Sequence, residues 1–228
     1  MKIGYFGKLP SYGDFIQRNV SPDLVNLWDD WLLQSIENSR QQLTDNWKEK
    51  YFNSPIWRFV IGKGVLNDST ITGLLMPSID KSGRCYPFSI ICQTDNQVNP
   101  FTLARKLEAM HENCEEFLLT LLEKQRPNLD EISMVLEEIY NEADETLYKS
   151  STLSSSSIEN EIVSISENCA IEFNLCNESF LEKIIELNDI KISIWSMNGV
   201  NGTNFQKRYF SGMPTVNSYH SFLIGAHD

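Results

Sequence analysis

Histidines, cysteines and neighbouring carboxylates are where chemistry would start, and in this sequence they are few and scattered. The 228 residues hold three histidines, His111, His220 and His227, and five cysteines, Cys85, Cys92, Cys114, Cys169 and Cys176. His111 and Cys114 fall three apart on one helix, a spacing that can seat two metal ligands. The face they share is that helix's own apolar stripe, which reads as a structural pair. His220 lies near Ser218 and Ser221, but sequence neighbours do not make a triad. No C-x-x-C occurs, so neither a zinc knuckle nor a redox dithiol is expected, and the cysteines read as reduced, mostly buried thiols. Asp29/Asp30 and Glu115/Glu116 are adjacent on helices, hence point apart, and are expected on solvated faces. Gly62-Lys63-Gly64 lacks the hydroxyl residue and the upstream glycine of a phosphate loop, and Asp80-Lys81-Ser82 has aspartate where that loop needs glycine. The expectation is a protein with no catalytic residues, cofactor or metal site.

What remains is charge embedded in turn residues. The segment GYFGKLPSYGDFIQRNV (4–20) carries Gly4, Gly7 and Gly13, which imply unusual backbone angles or close approach. It reads as a folded structural loop rather than a ligand cradle. Lys8 and Arg18 are candidates to meet a partner, and Asp14 is a candidate to hold the loop against Arg58 or Arg84. More generally, Arg58 or Arg84 is expected to pair with Asp14 or Asp80, because arginine on an apolar strand needs an acid. A competing reading is a hydrolase using Asp14, Asp80 and Arg84, which requires a deep pocket joining the three.

These loops need a scaffold, and the periodicity supplies one. KIGYF (2–6) reads as a strand. Residues 21–36 read as a helix with Ser21 as N-cap, Pro22 at its first position, and Leu24, Leu27, Trp28, Trp31, Leu32 and Ile36 on one face. A short helix follows at 44–52. Strands at 56–62, 70–76 and 86–93, joined by short connections, form an antiparallel meander. In the first, Trp57, Phe59 and Ile61 take one face and Ile56, Arg58 and Val60 the other. Leu103, Leu107, Met110, Cys114, Phe117 and Leu121 give one helix over 101–124, and a further helix spans 129–143. Six serines between 144 and 160 read as an exposed linker. Beyond it come strands at 169–175, 191–197 and 205–214, a short helix at 178–187 and a last helix at 216–225. The fold class is α/β (α+β): a mainly antiparallel sheet sandwiched with helices, one compact unit with a Ser-rich internal linker. Residues 1–143 form its N-terminal region and 161–228 a βαββα region packed on it.

Charge narrows the partners. Residues 1–100 carry ten Lys+Arg against ten Asp+Glu, so the whole net charge of −12 falls after residue 100. Nucleic-acid binding is not expected from that distribution. No apolar run is long enough for membrane insertion, and the N-terminus lacks a secretory pattern, so a cytoplasmic location is expected.

Three stretches carry a family resemblance: GYFGKLPSYGDFIQR (4–18), SPIWRFVIGKGV (54–65) and GLLMPSIDKSGRCYPF (73–88). In this order they resemble the TagF family, also called ImpM, associated with type VI secretion systems. The matching positions are Gly7, Lys8, Leu9, Pro10, Gly13, Asp14, Phe15 and Arg18; Pro55, Trp57, Arg58 and Phe59; and Pro77, Ser78, Asp80, Gly83, Arg84 and Pro87. The resemblance implies a non-enzymatic, post-translational repressor of type VI secretion, working through the forkhead-associated protein Fha independently of threonine phosphorylation. An effector adaptor or chaperone of the same system is the alternative. Some family members are fused to a PP2C-type phosphatase, whose acidic metal-binding motifs are not found in these 228 residues.

Overall fold

The computed structural model describes residues 2–94, 99–149, 162–167, 169–174, 182, 183, 185, 187–198 and 205–224. Strand β1 is Lys2–Gly7 and β2 is Ile16–Arg18; helix α1 is Pro22–Leu43 and, after a 3-10 turn, α2 is Trp47–Phe52. Strands β3 (Trp57–Ile61), β4 (Thr70–Met76) and β5 (Phe88–Thr94) lead into α3 (Pro100–Lys106), α4 (Glu108–Glu123) and α5 (Leu129–Lys149). Strands β6 (Ile162–Glu167), β7 (Cys169–Asn174), β8 (Ile192–Met197) and β9 (Gln206–Ser211) precede α6 (His220–Ile224).

The strands form one nine-stranded sheet in the order β2-β1-β5-β4-β3-β8-β9-β6-β7. All neighbours are antiparallel except β6 and β9. The expected meander is β3-β4-β5, and β1 returns beside β5. Two apolar layers cover the two faces. Residues of α3, α4 and α5 pack on one, with Val60, Leu74, Ile90 and Ile194 beneath them. Residues of α1, α2 and α6 pack on the other, over Trp57, Phe59, Ile61 and Trp195. The sheet is thus buried on both sides, which is why its central strands are almost continuously apolar.

Local chemistry fixes the ends of the elements. The Ser21 hydroxyl accepts from the Leu24 N–H at 3.4 Å, with Pro22 at the first helical position. Helix α1 continues past the expected end at 36, because Ser39 stays buried and its hydroxyl accepts the Trp47 indole N–H at 2.8 Å. Leu27, expected on the buried face, is exposed; it lies at the edge of an arc that Leu24, Trp28 and Trp31 already fill. The predicted helix 101–124 bends at Leu107 (φ −97°, ψ 11°), although the apolar repeat of Leu103, Leu107, Met110, Cys114, Phe117 and Leu121 stays buried throughout. Residues 144–149, read as linker, are the last turns of α5; the rest of the Ser-rich segment, and most of the helix read at 178–187, lie outside the described residues. Strands β2 and β6 were not legible in the sequence. The last helix is a 3-10 turn at Val216–Ser218 followed by α6.

The α1 face is dominated by aromatics. Phe59 lies 4.9 Å from Trp28 and 5.2 Å from Trp195, and Trp57 lies 4.6 Å from Phe222, centroid to centroid. Each of the five tryptophans donates its N–H: to Ser89 (Trp28), Pro214 (Trp31), Ser39 (Trp47), Phe222 (Trp57) and Ser193 (Trp195). Full burial therefore leaves no indole unsatisfied. Gly73 makes room for this layer: a Cβ there would sit 1.9 Å from the Ile90 carbonyl oxygen and 3.0 Å from the Phe59 ring. Gly73→Ala is expected to lower unfolding free energy by about 3 kcal/mol. Gly13→Ala, with nothing within 4 Å of the added carbon, should change it by less than about 0.5 kcal/mol. Urea unfolding of the two variants checks both values.

Candidate functional site

The two longest motif stretches meet at one end of the sheet. Strand β1 ends at Gly7 and β5 starts at Phe88, and these two residues are paired. The loop after β1 and the loop before β5 therefore run side by side. Gly7 is what lets them touch: its φ is +139°, and a Cβ would lie 2.2 Å from the Pro87 carbonyl oxygen. No other residue fits there. Gly4 is also packed against backbone, at Arg18 and Asn19. Gly13, grouped with them from sequence, is exposed and in open space.

Asp80 ties the loops together. Its side chain is wholly buried, and Lys8 Nζ and Arg84 Nε lie 3.0 and 2.6 Å from its Oδ2. Its Oδ1 accepts the backbone N–H of Ser82 at 2.9 Å and of Arg84 at 3.0 Å. Arg84 also donates to the Gly13 carbonyl at 3.0 Å, and Lys81 N–H donates to the Tyr12 carbonyl at 2.8 Å. Burial by itself raises the Asp80 pKa; the N–H groups of Arg84 and Ser82 and the Lys8 and Arg84 cations outweigh it and hold the carboxyl well below the usual range. The expected pairing of Arg84 with Asp80 is observed. Lys8, read as a contact for a partner, is instead buried in this web.

Aromatic rings close the arrangement. Phe15 stacks on Phe6 at 5.5 Å, meets Tyr86 edge-on at 4.7 Å, and carries the Lys8 ammonium 4.8 Å above its ring. It remains 40% exposed, an apolar ring on the outer surface of the loops. Tyr86 donates to Asp29 at 2.6 Å, so Asp29, read as solvated, has a structural role. Tyr51 donates to the Ser78 carbonyl at 2.8 Å and accepts its N–H at 3.0 Å, seating α2 against the second loop. Leu9 is buried beneath, while Pro10 and Asp14 are exposed. Asp14 caps the Phe15 N–H at 2.8 Å; it holds neither Arg58 nor Arg84, because its own loop turns it to solvent. Arg18 pairs with Asp130 at 2.6 Å.

The third motif stretch lies elsewhere. Trp57 and Phe59 belong to the aromatic layer, and Pro55 precedes their strand. Arg58 points to the opposite face, as its alternation predicts, and is 3% exposed. Its partner is Glu115 on α4, not Asp14 or Asp80: Asp80 is taken by Lys8 and Arg84, and Asp14 faces solvent. Glu115, read as solvated, also accepts from Asn198 at 3.2 Å. Nearby, His111 Nε2 and Thr72 Oγ1 are 2.9 Å apart, and burial together with Arg58 pushes His111 down to about 3. Position on α4 was the signal for Glu115: it lies four residues after His111, on the flank of the buried stripe. Cys92 and Cys114 are buried and Cys85 is half-buried; Cys169 and Cys176 lie outside what is described of side chains. His220 contacts the Asn217 carbonyl, and Ser221 takes up Arg208.

Three clefts are defined by described residues. One of about 600 Å³ lies between Gly62–Gly64, Asn99–Phe101 and Asp189–Ile192; one of about 450 Å³ lies along Leu33–Gln41; and one of about 400 Å³ lies between Tyr12, Arg18 and Arg126–Asp130. Asp14, Asp80 and Arg84 line none of the three. Within the paired loops the Asp80 carboxylate is already taken up by internal cations.

The family model of the TagF N-terminal domain, described as type VI secretion system-associated, matches residues 4–139. The crystal structure of PA0076 from Pseudomonas aeruginosa PAO1 is similar in fold. It is 23% identical, with a TM-score of 0.73, over 99% of this chain and 96% of that one. No curated protein matches the chain.

Asp80→Asn leaves Lys8 buried without its counter-charge and is expected to cost roughly 3–5 kcal/mol of stability, measured by urea unfolding. Acid should act in two stages. His111 is held neutral when folded, so stability falls as pH drops below its unfolded value of 6.5 towards about 3. Asp80 has a lowered folded pKa, so its contribution is complete above its unfolded value of 3.8 and is lost as pH falls below it. Asp80→Asn should remove the second stage and leave the first, read from melting temperature against pH.

Proposed function

The chain belongs to the TagF family of type VI secretion-associated proteins, and from that premise we propose that it represses type VI secretion after translation, by binding a protein of the apparatus. The partner in this reading is the forkhead-associated scaffold Fha, and the site of action is the cytoplasm. The observation that carries it is the family match, which spans both paired loops and the Arg58 strand. The geometry supports a binding role: Asp80 and Gly7 lock two loops into one platform, and an exposed Phe15 ring sits on it. Rigid loops on a sheet end lose little entropy on association. The reading also takes the protein to be non-enzymatic, with repression arising from occupancy.

Repression by occupancy follows mass action, so it scales with the ratio of the protein to its target. Overproduction in the host is expected to suppress secretion progressively, with apparatus transcripts and structural components at normal levels. His220→Ala should repress as well as the parent, because no proton transfer is involved. Secretion assays alongside transcript and protein quantification decide the matter. Undiminished secretion at high levels of folded protein sinks the proposal, and loss of transcripts places the action before translation. Capture of Fha by the tagged protein supports the named partner, whereas capture of secreted effectors instead favours an adaptor.

A further inference from the structure

The protein carries a net charge of −12, yet cations gather around the paired loops. On one side Tyr51 seats α2 against the second loop; Lys48 is exposed on that helix, and the exposed Arg40 lies 4.5 Å over the Trp47 ring at its start. Lys81 and Arg84 project from the second loop, and the Arg84 side chain is 63% exposed even while it bonds Asp80. On the other side the Tyr12 hydroxyl donates to the Pro127 carbonyl at 2.6 Å, which brings Arg126 into a cleft shared with Arg18. Contacts already described join these positions: Tyr12 to Lys81, and Arg84 to Gly13. The result is a belt of cations at one end of an acidic molecule.

Two acids of the belt are bound to its own cations: Asp80 is buried against Lys8 and Arg84, and Asp130 pairs with Arg18. Asp14 caps a backbone N–H, Asp29 accepts from Tyr86, and Asp45 and Glu49 flank Lys48 in sequence. Among the described residues, Lys48, Lys81 and Arg126 have no carboxylate partner. Phe15, 40% exposed, lies beside the Lys8–Asp80 pair at the middle of the belt.

We infer that this belt docks an acidic, extended protein segment, with carboxylates along the cations and an apolar side chain against Phe15. The cations are spread rather than convergent, and the donors of Arg84 are already directed at Asp80 and Gly13. A single phosphate would need several donors meeting at one point, so the arrangement fits a run of separate carboxylates. Against a surface otherwise of the same sign as such a segment, the belt also sets its orientation and speeds encounter. This deepens the proposed function by naming the chemistry of the partner's contact, and it rests on that reading for its biological setting alone.

The test uses the whole protein and a fluorescent peptide of glutamates interspersed with leucine. Binding is followed by anisotropy as salt rises from about 0.05 to about 0.2 M. Binding at low salt that weakens with salt is expected. Combining Lys48→Glu, Lys81→Glu and Arg126→Glu should weaken it about tenfold or more. The same charge change placed away from the belt, at Lys63, Lys183 and Lys191, should weaken it less than about twofold. Both triple variants should keep a cooperative melt. The inference is overturned by no binding at low salt, or by equal losses in the two variants. It is also overturned by tighter binding of a phosphothreonine peptide of lower charge, or by self-association in light scattering that the belt variant abolishes. If the belt variant still represses secretion as the parent does, docking at the belt is wrong while the repressor reading stands; if the parent does not repress but the peptide result holds, the reverse is true.

Discussion

A carboxylate removed from water must be answered on every side, and Asp80 is where this protein meets that demand. Two cations and two backbone N–H groups reach it, and they come from both loops at the end of the sheet. Each of those donors is placed by something else. Lys8 follows Gly7, whose backbone passes against Pro87 as no side-chain-bearing residue can. The Ser82 and Arg84 amides are turned inward by a tight turn closed from the Gly83 N–H to the Asp80 carbonyl at 2.9 Å. The exposed face of the loops, Phe15 included, inherits its shape from this buried charge.

The same strategy operates on the α4 face of the sheet. Arg58 is a charge inside an apolar layer, answered by Glu115 from α4. Its Nε has no protein partner, so the pair is less completely satisfied than Asp80. Buried pairs of this kind add little net stability relative to apolar packing but are costly to break. They act as registers: Arg58 with Glu115 fixes where α4 lies across β3, and Asp80 with Lys8 fixes how the loops align. The bulk of the stability comes from the two apolar layers, above all from the tryptophans gathered over Phe59 and Gly73.

Charge on the outside follows a different logic from charge inside. The acidic excess falls after residue 100, while the loop end draws its exposed cations chiefly from the first hundred residues, with Arg126 added by the turn before α5. A uniformly acidic surface would repel acidic partners from every side. Concentrating cations at one end gives the molecule a direction of approach.

The sequence by itself determined the elements and their faces wherever periodicity was strong. The Ser21 cap, the meander of β3 to β5, the opposite faces of Phe59 and Arg58, and the buried stripe of Leu103 to Leu121 all follow from spacing and local capping, which act within a few residues. The three motif stretches likewise identified the family without any contact being known. Only the tertiary structure decided which charges meet. Asp14 and Asp80 look alike in sequence, each an acid among turn residues, but one faces solvent and caps its own neighbour while the other is buried between two cations. Glu115 and Glu116 are indistinguishable by composition, and a 100° turn of the helix puts one of them on Arg58. Strand β2 was invisible because a strand of three residues depends on a neighbour for its hydrogen bonds. Pairing across a sheet and burial of a particular side are properties of the assembled chain, and no local signal carries them.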